Sequence, residues 1–288
     1  MRRKAFTLIE LLVVIAIIAL LLAILVPAMR KAKEVAKRVI CGSRMRQTMI
    51  GLKTYGETYD GRLIPLAHNM SIDGTGTVYS DNRGTTAWSA FQPWEGAVAY
   101  VLRAQGALYV PPPTPKAYHL GKLYELGIIT TPEIFYCPAQ PLESTAFGIP
   151  YRYEAYTNKG GCEWGTYAPI CTSATTGAFV RTSFNYWVHE KIRWSELHAS
   201  KIILVDNLHD WNVIPHRKAG DNSMPQGVSA GFADGSVSFC TNDAMFKKDA
   251  TYNGTLLWPG CDTPATDDGP GNRVASFEAL LTVVSQNQ

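Results

Sequence analysis

Polar side chains able to do chemistry crowd the late part of the chain: Asp206, Asn207, His209, Asp210, His216, Asp221, Asn222 and Asp234. Imidazoles and carboxylates converging from strand ends are the donors of a metal site. His209, His216 and Asp234 are the candidates for that role. Their spacing matches no metal-ligand motif, and Asp, Asn and Gly are also the residues that turns require, so turn chemistry is the expected use of this stretch. His119, His189 and His198 have no Ser or Cys at a telling spacing and are expected to pack or face solvent. No G-x-S-x-G, P-loop, HExxH or dinucleotide fingerprint occurs. The expectation is a protein that is not an enzyme, with no cofactor.

A second charge asks for explanation at the other end. Arg2, Arg3 and Lys4 precede Ala5-Phe6-Thr7-Leu8-Ile9-Glu10, and an apolar run follows from Leu11 to Met29. A spanning helix needs about 20 apolar residues, and residues 6–29 supply them. A carboxylate at membrane depth costs about 2.5–3.5 kcal/mol at a helix centre, so Glu10 needs a reason to be there. The apolar core exceeds the 7–15 residues typical of a secretory signal and has no small-residue exit. Instead Pro27-Ala28-Met29 runs into Arg30-Lys31-Ala32-Lys33-Glu34, a strong helix former. Pro27 is expected to bend the helix rather than end it.

The stretch from Arg3 to Val14 resembles the N-terminal signature of type IV prepilins and pseudopilins. The resemblance implies that a prepilin peptidase cuts between Ala5 and Phe6 and N-methylates Phe6. It also implies that Glu10 is the acidic residue used in assembly and that Pro27 is the helix-bending proline. Ala5 departs from the family's usual Gly, which puts the efficiency of cutting in question. Lys and Arg flank both ends of the run, so the positive-inside count leaves orientation open. The resemblance implies a single-pass protein of the bacterial inner membrane, N-terminus cytoplasmic and domain extracytoplasmic, then a filament in the periplasm or at the cell surface. Major pseudopilins carry a late calcium loop. Asp262, Asp267, Asp268 and Asn272 match it poorly, so calcium is only a weak expectation.

The chain has 27 Lys and Arg against 24 Asp and Glu, a formal net charge of +3. Three of the basic residues lie in the leader, so the mature chain would balance at 24 against 24, and no nucleic-acid partner is expected. Arg30, Lys31, Lys33, Lys37, Arg38, Arg44 and Arg46 form a local basic stripe suited to headgroup contact and a solvated helix face. Six cysteines, at 41, 137, 162, 171, 240 and 261, all follow the apolar run. Disulfides are possible in an exported region. Cys162 with Cys171 and Cys240 with Cys261 are candidate pairs, and buried free thiols are the alternative. No CxxC pair is present.

The elements expected to position these groups begin with continued helical periodicity. Val35, Val39, Met45, Met49, Leu52, Tyr55 and Tyr59 fall near one stripe, with Gly42, Gly51 and Gly56 allowing close approach and Asp60-Gly61 as the stop. Strands are expected at 62–66, 134–137, 180–188, 201–205, 228–233 and 236–240, the last two flanking Asp234-Gly235, a strong hairpin signal. Helices are expected at 93–104, 117–126 and 276–284, and Thr131-Pro132 as a helix start or turn. Irregular alternation argues for α+β: a long N-terminal helix packed on an antiparallel β-sheet with long irregular loops, pilin-like. The organisation expected is leader 1–5, transmembrane and filament-core helix 6–29, amphipathic continuation 30–60 and globular domain 61–288.

The body also resembles a bacterial group of prepilin-like proteins with a Phe-x-Cys-Pro segment, here Phe135-Tyr136-Cys137-Pro138. The same group has a late Phe-x-Asp-Gly-x-Val hairpin, here Phe232 to Val237, with His216 as its upstream His. Two readings of function follow. One is a structural subunit of a type IV pilus-like or type II secretion pseudopilus filament, with prepilin peptidase, other pilin-like subunits and the inner membrane as partners. The other is a tethered or filament-tip module that binds glycan or a surface ligand through its seven tryptophans, which core packing would use equally.

Overall fold

The computed structural model describes residues 7–64, 119–140, 182–186, 193–208, 214–218, 221–247, 249–257 and 279–286, with short segments at 69–72, 78–81, 94–95, 116–117, 145–146, 149–150, 152–156 and 179–180 and residue 164. The fold is α+β, a long N-terminal helix laid on an antiparallel sheet.

Helix α1 spans Leu8–Thr58 without a break, and Pro27 lies inside it. Its start is fixed by a capping box: the Thr7 hydroxyl accepts from the Glu10 N–H, and the Glu10 carboxylate accepts from the Thr7 N–H. This satisfies two donors that a helix N-terminus leaves orphaned. At the other end Asp60 and Gly61 both adopt positive φ, 57° and 71°, and the Gly61 N–H returns to the Gly56 carbonyl. The Asp60-Gly61 stop is therefore borne out.

Four strands form the central sheet: β1 (Phe184–Tyr186), β2 (Ile202–Asp206), β3 (Val228–Phe232) and β4 (Val237–Cys240). Their order is β4-β3-β2-β1, all antiparallel. β3 and β4 join through the expected Asp234-Gly235 turn. Gly235 has φ 93°, a conformation that L side chains rarely adopt, and the Asp234 carboxylate accepts from the Ser236 N–H at 2.7 Å. β2 and β3 are buried along their whole length, which fits their apolar sequence apart from Asp206 and Ser229.

α1 docks on this sheet through its second half. Its buried residues are Cys41, Met45, Thr48, Met49, Gly51, Leu52 and Gly56. Gly231 of β3 sits so close that a Cβ there would lie 3.0 Å from the Met49 side chain. A Cβ at Gly51 would fall 2.8 Å from Ile129, and one at Gly56 2.6 Å from the Trp194 ring, so both glycines serve the close approach expected of them. Gly42 meets nothing. Tyr186 reaches from β1 to donate to the Ile64 carbonyl at 2.7 Å.

Several expectations need correction. Val35 and Val39 do not join the docking stripe; they are 52% and 68% exposed, because the sheet begins to cover α1 only at Cys41. Residues 134–137 are not a strand. Pro132 starts a 3-10 turn, Pro132–Phe135, since it presets φ and needs no N–H partner. Residues 180–188 split into Phe179–Val180 and β1, in different sheets. Of the strand expected at 62–66, the described residues 62–64 hold a single bridge, from Arg62 to Arg193. Trp94–Glu95 is extended, paired with Lys116–Ala117 and Phe179–Val180, and not helical. Helix α2 covers Leu120–Glu125, and residues 279–286 are helical, each within or overlapping its expected range.

Candidate functional site

The described residues bring one dense group of reactive side chains together, and it forms where α1 first meets the sheet. Cys41 is the first buried residue of α1, one turn before Met45. Cys137 follows the Pro132–Phe135 turn. Arg44 holds that turn to the helix by pairing with Glu133 and donating to the Tyr136 carbonyl at 2.8 Å. Asp206 ends β2, and β3 faces it through Ser229, whose N–H donates to Asp206 Oδ2 at 2.5 Å. His216 precedes the short strand Arg217–Lys218, and its carbonyl accepts from the Gln226 N–H at 2.8 Å.

Cys41 Sγ lies 3.2 Å from Asp206 Oδ1. Cys137 Sγ lies 3.5 Å from His216 Nε2, and His216 Nε2 lies 3.4 Å from Asp206 Oδ2. All four donor atoms fall within 4.8 Å of one another, and all four residues are buried. The Ser229 hydroxyl approaches Cys41 Sγ at 3.7 Å. Phe239 closes one side, its ring edge-on to His216 at 5.2 Å, with the Arg38 guanidinium 4.9 Å above it.

Burial sets the protonation of this group. It pushes the Asp206 carboxyl up to about 7, against the pull of the Ser229 and Cys41 hydrogen bonds. It pushes the His216 imidazole down to about 3, helped by the charges of Arg38 and Lys37. Both shifts favour the neutral forms, so the His216–Asp206 contact is not a salt bridge on its own. Burial likewise raises the thiols of Cys41 and Cys137. His216 Nδ1 is buried with no hydrogen-bond partner.

The sequence candidates fare unevenly. His216 belongs to the buried group. Asp234 does not: it is exposed at the β3–β4 turn and engaged by Ser236. His209, Cys162, Cys171 and Cys261, like Ala5 and Phe6, lie outside the described residues. Cys240 is a free, buried thiol at the end of β4, its strand pairing with Val228 placing it at the core edge. Sequence reasoning did not link Cys41, Cys137, Asp206 and His216, although each carried a signal. Cys41 lies at helical spacing from Met45 and Met49, Cys137 sits in Phe-x-Cys-Pro, Asp206 closes an apolar run, and His216 is the His upstream of the hairpin. Trp164 is buried, stacked on Phe135, and Trp194 packs against Gly56. Both are packing residues.

The second functional feature is Glu10. Its carboxylate accepts from both the N–H and the hydroxyl of Thr7, each at 2.8 Å. The helix that carries it is long and apolar enough to cross a membrane, and its side chains from Leu8 to Met29 are exposed. A family model described as a prokaryotic N-terminal methylation motif matches residues 1–26. The chain carries a prepilin-type signature. No curated protein and no solved structure matches the chain. The prepilin-like signature therefore speaks for the anchor helix and its processing, and the buried Cys/Asp/His group must be read from its own chemistry.

Proposed function

We propose that this prepilin-like protein is a structural subunit of a type IV pilus-like or type II secretion pseudopilus filament. In this reading prepilin peptidase cuts the Ala5–Phe6 bond at the cytoplasmic face and methylates Phe6. The domain stands outside the inner membrane, and the apolar halves of α1 bundle into the filament core. The observation that carries the reading is the methylation motif at residues 1–26 on a helix with an exposed apolar first half.

Glu10 fits both stages. In the single chain, Thr7 satisfies the carboxylate through two short hydrogen bonds, lowering the cost of holding it at the membrane edge. In a bundle, the new α-ammonium at Phe6 of one subunit can pair with Glu10 of a neighbour, each offsetting the other's burial and fixing register. Mass spectrometry of the mature N-terminus tests the processing, with N-methyl-Phe at Phe6 expected. An intact Met1 in cells that hold an active prepilin peptidase would return the chain to a plain membrane anchor. Glu10→Leu should insert and be processed like wild type yet fail to enter filaments. Filaments formed at normal abundance would remove the role given to Glu10.

A further inference from the structure

We propose that Cys41, Cys137, Asp206 and His216 bind one zinc ion, and that this ion clamps the domain-bound half of α1 to the sheet. Zinc prefers four tetrahedral ligands, with bonds of about 2.0–2.3 Å to nitrogen, oxygen and sulfur. Such a tetrahedron has edges of about 3.3–3.8 Å. Cys41 Sγ lies 3.2 Å from Asp206 Oδ1, His216 Nε2 3.4 Å from Asp206 Oδ2 and Cys137 Sγ 3.5 Å from His216 Nε2, and one donor atom from each residue falls within 4.8 Å of the other three. Closing the longest separation by at most about 1 Å completes the figure.

The donor types select the ion. Two thiolates, an imidazole and a single carboxylate suit zinc, whereas calcium requires six to eight oxygens. All four positions come from the protein and all four side chains are buried, so the site is closed and structural rather than catalytic. The ligands come from four separate places: α1, the segment after the Pro132–Phe135 turn, the end of β2, and the approach to Arg217–Lys218. They are 96, 69 and 10 residues apart (137 − 41, 206 − 137, 216 − 206), and only the folded domain assembles them. Zinc binding would displace the two thiol protons and the Asp206 carboxyl proton, all of which leave to solvent, and leave a net charge of −1 on the centre. The surroundings suit that charge: the Ser229 hydroxyl points at Cys41 Sγ and the Ser229 N–H at Asp206, with Arg38 and Arg44 on the flanks.

The rival fate of two neighbouring thiols in an exported domain is a disulfide, and the experiment separates the two. The full-length protein is purified in detergent without reductant or added metal. Its metal content is measured by mass spectrometry and its thiols by peptide mapping. About one zinc per chain is expected, with Cys41 and Cys137 both reduced. Cobalt exchanged into the wild-type protein should show intense visible bands of tetrahedral geometry and a thiolate charge-transfer band, a readout that needs no variant. His216→Ala and Cys41→Ser should drop zinc to below about a tenth of an equivalent, while Cys240→Ser should keep it. A Cys41–Cys137 disulfide, an octahedral cobalt spectrum, failure of the wild-type protein to hold zinc, or zinc loss in Cys240→Ser would each overturn the assignment.

Discussion

At the scale of single residues, the buried histidines give the domain a direction of pH sensitivity. His119 is buried, both ring nitrogens lack a partner, and burial holds its pKa down to about 3. An unfolded histidine titrates near 6.5. Above that pH both states are neutral and the residue is silent. As pH falls below about 6.5 the unfolded chain takes up a proton that the native imidazole refuses. Stability is therefore lost progressively until the native group itself titrates near 3. The loss should reach about 2 kcal/mol by pH 5. Denaturation midpoints at pH 7.5 and 5, compared between wild type and His119→Phe, measure it: the variant should show a smaller fall. An equal fall would place the sensitivity elsewhere. Residue chemistry was unevenly legible in the sequence. Glu10 announces itself, because the cost of a charge in an apolar run is local. The Cys41, Cys137, Asp206 and His216 group does not, because tertiary packing alone brings its members together. Asp234 drew attention for its type, and its turn accounts for it.

At the scale of elements, α1 is one helix with two different surfaces. The hydrophobic stripe predicted from periodicity is correct from Met45 to Tyr55 and fails at Val35, Val39 and Tyr59, which are exposed. Apolar spacing specifies a face but not where the sheet beneath it begins. The same limit explains the segment at 134–137: its apolar residues read as a strand, yet the φ preset by Pro132 gives a 3-10 turn, and Arg44 ties that turn to α1. The β3–β4 hairpin was legible because its turn residues and both apolar runs are adjacent in sequence. The difference between the two surfaces of α1 can be measured. Met45 is fully buried, so Met45→Ala should destabilise the domain by about 2–4 kcal/mol through the cavity it leaves. Val39→Ala, one and a half turns earlier, should change it by less than about 0.5 kcal/mol. Denaturant unfolding of the two variants decides it, and similar losses would mean that the sheet covers α1 further toward the membrane than Cys41.

At the scale of the whole molecule, with α1 crossing a bilayer as proposed, its length fixes how the domain stands relative to that bilayer. Its 51 residues extend about 77 Å at 1.5 Å per residue. A bilayer core takes about 20 of these residues, from Leu8 to the neighbourhood of Pro27. The first residue buried against the domain is Cys41, so roughly a dozen residues, about 18 Å, form a stalk between them. Arg30, Lys31 and Lys33 are exposed on this stalk, whereas Lys37 pairs with Glu34 and Arg44 with Glu133. The basic stripe thus divides into solvated side chains on the stalk and side chains held in ion pairs, and of these two pairs only that of Arg44 reaches the domain. A protease can cut a helix only where it opens locally, and opening is cheapest where few apolar contacts must be broken. Trypsin acting on the full-length protein in detergent or proteoliposomes should therefore make its first cuts within α1 after Lys31 or Lys33. N-terminal sequencing should find a water-soluble fragment that begins near Ala32 or Glu34 and retains Cys41. First cuts within α1 after Arg44 or Lys53 would show that the helix is weakest where it meets the sheet. A stalk fragment that stayed with the lipid would show that the domain itself binds the membrane. Either result would remove the stalk from this architecture.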